Sequence, residues 1–546
     1  MGAAGAQKRW TLFAVILGSG IVFLDSTIVP VALPKIGSEL PSTVFGKLEA
    51  QSYVYYGYLL ALSALLILAG ALSDFYGRRR LFIIGLIGFG VTSVMCGLAP
   101  NMEFLIASRF LQGTAGAILV PGSLAIITAS FHGEEQGRAF GTWAAASGAT
   151  TILGPLVGGA LVAYVSWRAA FLINAPLIAA ALWASIRHVE ESRDEEASGS
   201  FHWTGALIVA VGIGGVSFGA IRGQASGWAT PGPFIAIALG ALAIVSFPLV
   251  MARARNPLVP LELFRSRNFT VTNISTLLIY GSLYVNFQFL ALFAIGILGY
   301  NEVAFGLIAI PSSLLLALFS RRFGALADRY GPRLFMTLGP ALMGLGLLWY
   351  VRMPADSAPW RIELAQPATL APPNDFLVDI LPAIIVFGIG LMIMVAPLTT
   401  ALMRSVPVRH AGVASAFNNA ISRAGPQLAG ALLFIVISST FYASLSDQAP
   451  TWESGSGVTR EQVSPLNPAP SGASPELRSA ADQASTDAFR LAMLIAAFMC
   501  LGGAAVNGLG IRNDRLSSGV LDGTGSDGVG EGEGAGTGVG ARLGPS

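Results

Sequence analysis

Apolar runs of about 20 residues recur along the whole chain, each long enough to cross roughly 30 Å of hydrocarbon as a helix. Fourteen are readable, near 10–34, 52–73, 81–99, 104–129, 139–165, 169–187, 203–222, 233–253, 268–297, 303–320, 334–352, 377–402, 413–442 and 488–511. Some exceed the hydrocarbon thickness and require tilt or an end outside it. Only 11% of the 546 residues are charged, against about 25% in a soluble domain. The expected fold class is therefore an all-α polytopic membrane protein. A net charge of +2 is too small to argue for nucleic acid. Cys96 and Cys500 both fall inside apolar runs, which supports neither a disulfide framework nor a Cys-based metal site. Lys8 and Arg9 precede a first run of spanning length, which reads as a retained start-transfer helix.

Basic residues in the short connections set the expected orientation. Arg78–Arg80, Arg253, Arg255, Arg265, Arg267, Arg321, Arg322, Arg329, Arg333, Arg404 and Arg409 fall on one side, with Lys8 and Arg9. The positive-inside rule puts that side in the cytoplasm. An even span count then leaves both termini there, in a multi-pass protein of the cell membrane. Three stretches lie outside the bundle. Residues 188–202 form an acidic cytoplasmic linker, with Glu190, Glu191, Asp194, Glu195 and Glu196. Residues 443–487, rich in Ser, Pro and Ala, form a long extracytoplasmic loop. Residues 516–546 are Gly-rich and polar, cannot bury enough apolar surface to fold, and read as a disordered cytoplasmic tail.

The turn Gly70-Ala71-Leu72-Ser73-Asp74-Phe75-Tyr76-Gly77-Arg78-Arg79 recurs as Gly324-Ala325-Leu326-Ala327-Asp328-Arg329-Tyr330-Gly331-Pro332-Arg333. Repeated halves flanking a midplane site are the usual construction of secondary transporters. Gly77 allows a sharp reversal, Asp74 can interact with a nearby helix N-terminus, and the arginines face anionic lipid. A plain topological anchor is the competing reading of this turn.

These residues resemble the major facilitator superfamily, whose signature between the second and third spans is G-x-L-x-D-x-x-G-R-K/R. Gly70, Leu72, Asp74, Gly77, Arg78 and Arg79 match it in full. Further segments are similar to the fourteen-helix drug:proton antiporter family within it. They are Leu24-Asp25-Ser26-Thr27-Ile28-Val29-Pro30, with Pro30 where that family has Asn, and Arg109-Phe110-Leu111-Gln112-Gly113. Gly154-Pro155-Leu156-Val157-Gly158-Gly159 is like the antiporter motif of exporters, and Ser166-Trp167-Arg168 and Phe171–Pro176 match too. The resemblance implies two six-helix bundles, spanning 1–187 and 268–515, with two extra helices in 188–267 between them. It also implies that Gly70, Asp74, Gly77, Arg78, Arg79, Asp328, Gly331 and Arg333 act in conformational gating.

An ionisable residue inside a span is a functional candidate because its insertion is costly. Asp25 is the one acid deep within a span, about 9 residues or roughly 13 Å from its outer end. Arg109 lies at comparable depth, roughly 9 Å in. The resemblance implies that their helices are neighbours. None of His132, His188, His202 and His410 lies deep in a span, so if protons are carried Asp25 is the strongest candidate; a static ion pair is the alternative. Arg423 lies roughly 18 Å into its span, within about a turn of Asn418, Asn419 and Ser422. With Tyr53, Tyr56, Gln112, Tyr284, Asn286 and Gln288, these residues are candidates for lining a substrate cavity. Helix packing is the alternative for each of them, and for the kink at Gly154-Pro155.

No nucleotide-binding loop of the G-x-x-x-x-G-K-S/T type is present, so ATP is not the expected energy source. No enzyme activity, cofactor, metal or obligate protein partner is expected. The expected function is proton-coupled export of small amphipathic molecules, with substrate, protons and the bilayer as partners. Two alternatives stay open: export of an endogenous lipid, siderophore or metabolite, and a non-transporting receptor or assembly factor on the same fold.

Overall fold

The computed structural model describes residues 3–131, 134–193, 203–225, 228, 230–254, 261–363, 366–406, 411–450, 462–470 and 472–513. The Gly-rich tail, Arg255, Arg409, His410 and parts of 188–202 and 443–487 lie outside the described residues, as do the side chains of Asp74 and Asp328. Lipid offers no water to satisfy backbone groups, so a spanning run closes its hydrogen bonds within itself. The described residues accordingly contain helices and no strand.

The first half holds α1 (Ala3–Glu39), α2 (Lys47–Tyr76), α3 (Arg78–Gly97), α4 (Met102–Ser130), α5 (Glu134–Tyr164) and a sixth span broken into α6 (Ala169–Leu172) and α7 (Asn174–His188). Next come α8 (Trp203–Ala225) and α9 (Pro231–Arg253). The remainder holds α10 (Arg267–Gly296), α11 (Glu302–Ile308), α12 (Ile310–Tyr330), α13 (Pro332–Trp349), α14 (Leu381–Arg404), α15 (Ala411–Gln448) and α16 (Pro475–Gly510). Twelve helices among the described residues are long and apolar enough to cross a membrane, and α2 and α5 are not among them. Those two run 30 and 31 residues, or roughly 45 Å at 1.5 Å per residue. They have the length to complete the fourteen expected spans, but twelve is the number shown.

The packing repeats. In the first half α1 packs on α4, α5 and α7, α2 on α4, and α3 on α4 and α7. In the second, α10 packs on α14, α15 and α16, α12 on α14, and α13 on α14 and α16. The halves meet where α2 touches α15, α5 touches α11, and α1 touches α10. The α8–α9 hairpin closes through glycines: a Cβ on Gly215 would lie 2.6 Å from the Ala236 carbonyl, and one on Gly240 2.6 Å from the Val216 nitrogen. This pair packs on α2 and α15. The face of α9 that carries Leu242, Val245 and Leu249 is exposed, as a lipid-facing helix requires.

Both copies of the repeated turn use one device. Gly77 (φ +108) ends α2 and Gly331 (φ +85) ends α12, each in a backbone region closed to L side chains. Their arginines also act alike: Arg79 Nη2 donates to the Ile186 carbonyl in the last turn of α7, and Arg333 Nε to the Gly508 carbonyl in the last turn of α16. A cation at a helix C-terminus satisfies orphan carbonyls and complements the macrodipole. At the start of α3, the Glu191 carboxylate from the linker accepts the backbone N–H groups of Arg79 and Arg80, both at 3.1 Å. The linker is therefore partly a helix cap.

A Cβ at Gly77 would meet the Glu191 carboxylate at 2.7 Å, whereas one at Gly70 meets only Pro121, at 3.5 Å. Gly77→Ala is expected to destabilise the protein by about 1–3 kcal/mol, the usual cost of a forced backbone conformation, and Gly70→Ala hardly at all. Thermal unfolding of the two purified variants checks this. Equal losses would contradict it.

Candidate functional site

Asp25 and Arg109 lie in the interior of the first half, both with fully buried side chains. Arg109 Nη1 donates to Asp25 Oδ2 at 2.5 Å and to Gln112 Oε1 at 2.7 Å, and Nε donates to the Val54 carbonyl at 3.0 Å. The Tyr58 ring lies 4.1 Å from the guanidinium carbon, a cation–π distance. Asp25 Oδ1 accepts from Gln112 Nε2 at 3.1 Å and from Asn174 Nδ2 at 3.4 Å. Ser93 Oγ ties both amides together, at 3.2 and 2.9 Å. Five helices thus converge on one carboxylate: α1, α2, α3, α4 and α7. Arg109 Nη2 and Asn174 Oδ1 remain buried without a partner, which leaves the network room to rearrange its bonds.

Arg423 occupies the second half of the interior, on α15, 5% exposed. It donates to the Tyr284 hydroxyl of α10 at 3.0 Å and lies 5.2 Å from the ring of Phe23 on α1. The second half thereby touches the helix that carries Asp25.

The residues expected to line a cavity are placed as follows. Gln112 belongs to the ion-pair network. Tyr53 donates to the Phe218 carbonyl and stacks on its ring, in the α2–α8 contact. Asn418 donates to Asn273 and Thr276, both at 3.0 Å, which joins α15 to α10. Asn419 is half-buried. Tyr284 meets Arg423. Asn286 Oδ1, both amide atoms of Gln288 and the Tyr56 hydroxyl are buried without partners. Tyr55, Tyr58, Ser93 and Asn174 also belong to this interior, and sequence reasoning passed over the role of each.

Gly154-Pro155 has a counterpart that sequence reasoning missed: Gly425-Pro426-Gln427-Leu428-Ala429-Gly430 on α15. The two segments sit alike. Gly154 packs against Thr27 of α1 and Gly425 against the Leu277 carbonyl of α10. Gly159 packs against the Glu302 carbonyl of α11 and Gly430 against Tyr56 of α2. Gly158 lies against Ile28. Gly159 and Gly430 thus allow close helix contact at the two seams between the halves, and Gly154, Gly158 and Gly425 within each half.

The seam is sealed at the end where α2 begins. Residues 463–467 of the long loop are buried there, Ser464 included. Gln51 and Asn467 exchange amide hydrogen bonds at 3.1 and 3.0 Å, and the Leu48 N–H donates to Ser464 Oγ at 3.2 Å. On the other side, Leu466 N–H donates to Ser485 of α16, and its carbonyl lies against Gly296 of α10.

Residues 15–431 match the Major Facilitator Superfamily. The chain belongs to this superfamily. It is 31% identical over 440 residues to the multidrug resistance protein Stp of Mycobacterium tuberculosis, covering 80% of this chain and 77% of that protein. It is 30% identical over 439 residues to the tetracenomycin C resistance and export protein of Streptomyces glaucescens, covering 80% and 78%. Its fold is similar to a bacterial homologue of the lysosomal transporter Spinster in an inward-facing state, with a TM-score of 0.62 at 16% identity, covering 92% and 97%. The chain is an integral membrane transporter of the drug-exporting kind within the superfamily.

Proposed function

We propose that this transporter exports small amphipathic molecules in exchange for protons, by alternating access between two six-helix halves, 1–187 and 268–515. The observation that carries the reading is the Asp25 carboxylate, held by Arg109, Gln112 and Asn174 in the interior of the first half. A proton delivered to Asp25 removes the negative charge that holds Arg109. The guanidinium is then released toward Gln112 and the Val54 carbonyl, and α1 and α4 are free to repack. Loss of the proton restores the pair. Each turnover thus couples one titration to one rearrangement of helices that also touch the second half.

The arginine-rich turns at Gly77 and Gly331 face the cytoplasm in this reading, with both termini. The seal formed by Gln51, Asn467 and residues 463–467 then closes the outer side. Substrate enters from the cytoplasm or the inner leaflet and contacts Tyr284, Gln288 and Arg423. Separation of the α2–α15 and α5–α11 seams releases it outside. The repeated turns act as paired hinges, through Gly77 with Arg79 and Gly331 with Arg333.

Purified protein in sealed vesicles tests the energy source. An imposed pH gradient, acid on the extracytoplasmic side, is expected to drive uphill accumulation of fluorescent amphipathic compounds there, and a protonophore should abolish it. Movement that is never concentrative, or indifference to the gradient, would contradict proton coupling. No movement of any compound in a broad panel would favour the receptor alternative.

A further inference from the structure

The interior charges do not balance. Asp25 is neutralised by Arg109, and Glu49 faces Arg222 at the rim of α2 and α8. Arg423 is 5% exposed and enters none of the ion pairs among the described residues. Among the described residues its one hydrogen bond goes to Tyr284, and the rest of its N–H fork has no partner there. Aromatic rings flank it, Phe23 at 5.2 Å and Tyr284 at 5.8 Å. Gln288, one turn beyond Tyr284 on α10, leaves both amide atoms unpaired in a buried position. Asp25 pairs with Arg109 and not with Arg423, and its other hydrogen bonds come from Gln112 and Asn174.

We propose that Arg423 anchors an anionic group of the transported molecule, and that the site selects amphipathic aromatic carboxylates. The proposal rests on the reading of this interior as the export site. A guanidinium presents parallel N–H groups that match a planar carboxylate in a bidentate pair. An uncompensated cation deep in a bilayer is costly, and the substrate's own charge offsets that cost while it is bound. Phe23 and Tyr284 supply ring surface for the aromatic body, and the Gln288 amide is a further polar contact beyond the carboxylate. A cationic compound would have to approach an uncommitted guanidinium with no free acid beside it, so cations are selected against.

The probes are 2-naphthoate and its uncharged counterpart 2-naphthamide, titrated calorimetrically into the full-length protein in lipid nanodiscs. Naphthoate is expected to bind at least about 10-fold tighter than naphthamide, the scale of one charge-assisted hydrogen-bonded pair. Arg423→Gln should erase the preference and Arg423→Lys should keep part of it. Tetraphenylphosphonium should bind Arg423→Gln better than wild type. Equal binding of the two naphthyl probes to wild type overturns the proposal without need of any variant, as does a preference that survives Arg423→Gln. In wild-type vesicles, pH-driven export of both probes at equal rates would sink the anion assignment while leaving export intact. A naphthoate preference in binding without pH-driven movement would sink the export reading and leave the anion site standing.

Discussion

Arg109→Ala is expected to unfold at a markedly lower temperature than wild type, and Asp25→Asn combined with Arg109→Gln to recover most of the difference. The reason is the complete burial of both partners. Breaking a buried ion pair by removing one member leaves the other charge uncompensated, at about 3–5 kcal/mol, whereas replacing both with neutral groups is often tolerated. In the double variant two amides take the place of the pair, with Gln112 and Asn174 still within reach. Stability and coupling should then part company: the double variant folds but does not couple export to protons. Thermal unfolding of wild type and the two variants in one detergent decides the first half of this expectation. A double variant no more stable than Arg109→Ala would mean that the helices need the ion pair itself.

Gly159→Ala is expected to hold the outer side of the transporter ajar and to cut export by an order of magnitude. Its added methyl would run into the Glu302 backbone carbonyl of α11, which cannot rotate away. Overpacking of this kind costs about 1–3 kcal/mol, which shifts the closed-to-open balance roughly 5- to 150-fold. Gly430→Ala meets the Tyr56 side chain rather than a backbone carbonyl, so its effect should be smaller. Gly154→Ala presses on Thr27 of α1, inside one half, and should lower stability without opening the seam. The readout is a cysteine at Ser464, which is 7% exposed within the seal. An impermeant thiol reagent should label it slowly in the parent and faster with Gly159→Ala added. Cys96 and Cys500 are both buried and add little background. Unchanged labelling with normal export would show that the α5–α11 contact does not limit closure.

Twelve of the spans were legible because hydrocarbon thickness imposes a minimum length on each and disfavours charge within it. The Gly77 and Gly331 turns were legible because the repeated letters are contiguous. The second Gly-Pro segment on α15 was not, since Gln427, Leu428 and Ala429 interrupt the likeness and only packing aligns the two. Asp25 and Arg109 stood out as charges in apolar runs. Ser93 and Asn174 did not, because an uncharged polar residue in a span announces neither its depth nor its direction. Helix face was the main loss. Tyr53, Gln112 and Asn418 lie on helices packed on several sides, where hydropathy has no period to reveal which neighbour each side chain meets. Likewise, nothing in an acidic linker marks Glu191 as the cap of α3.

The central claim is that Asp25 carries the proton. Asp25→Asn keeps the size of the side chain and an oxygen for Arg109, so it should fold, though less stably than wild type because the Arg109 charge loses its counter-ion, and it cannot exchange a proton. The direct measurement is substrate-driven proton movement, followed with a pH dye inside vesicles of purified wild type or Asp25→Asn. Proton flux with substrate is expected in wild type and none above background in the variant, while downhill substrate movement survives. Wild-type proton flux in Asp25→Asn would contradict it, and would reduce the Asp25–Arg109 pair to a staple between α1 and α4.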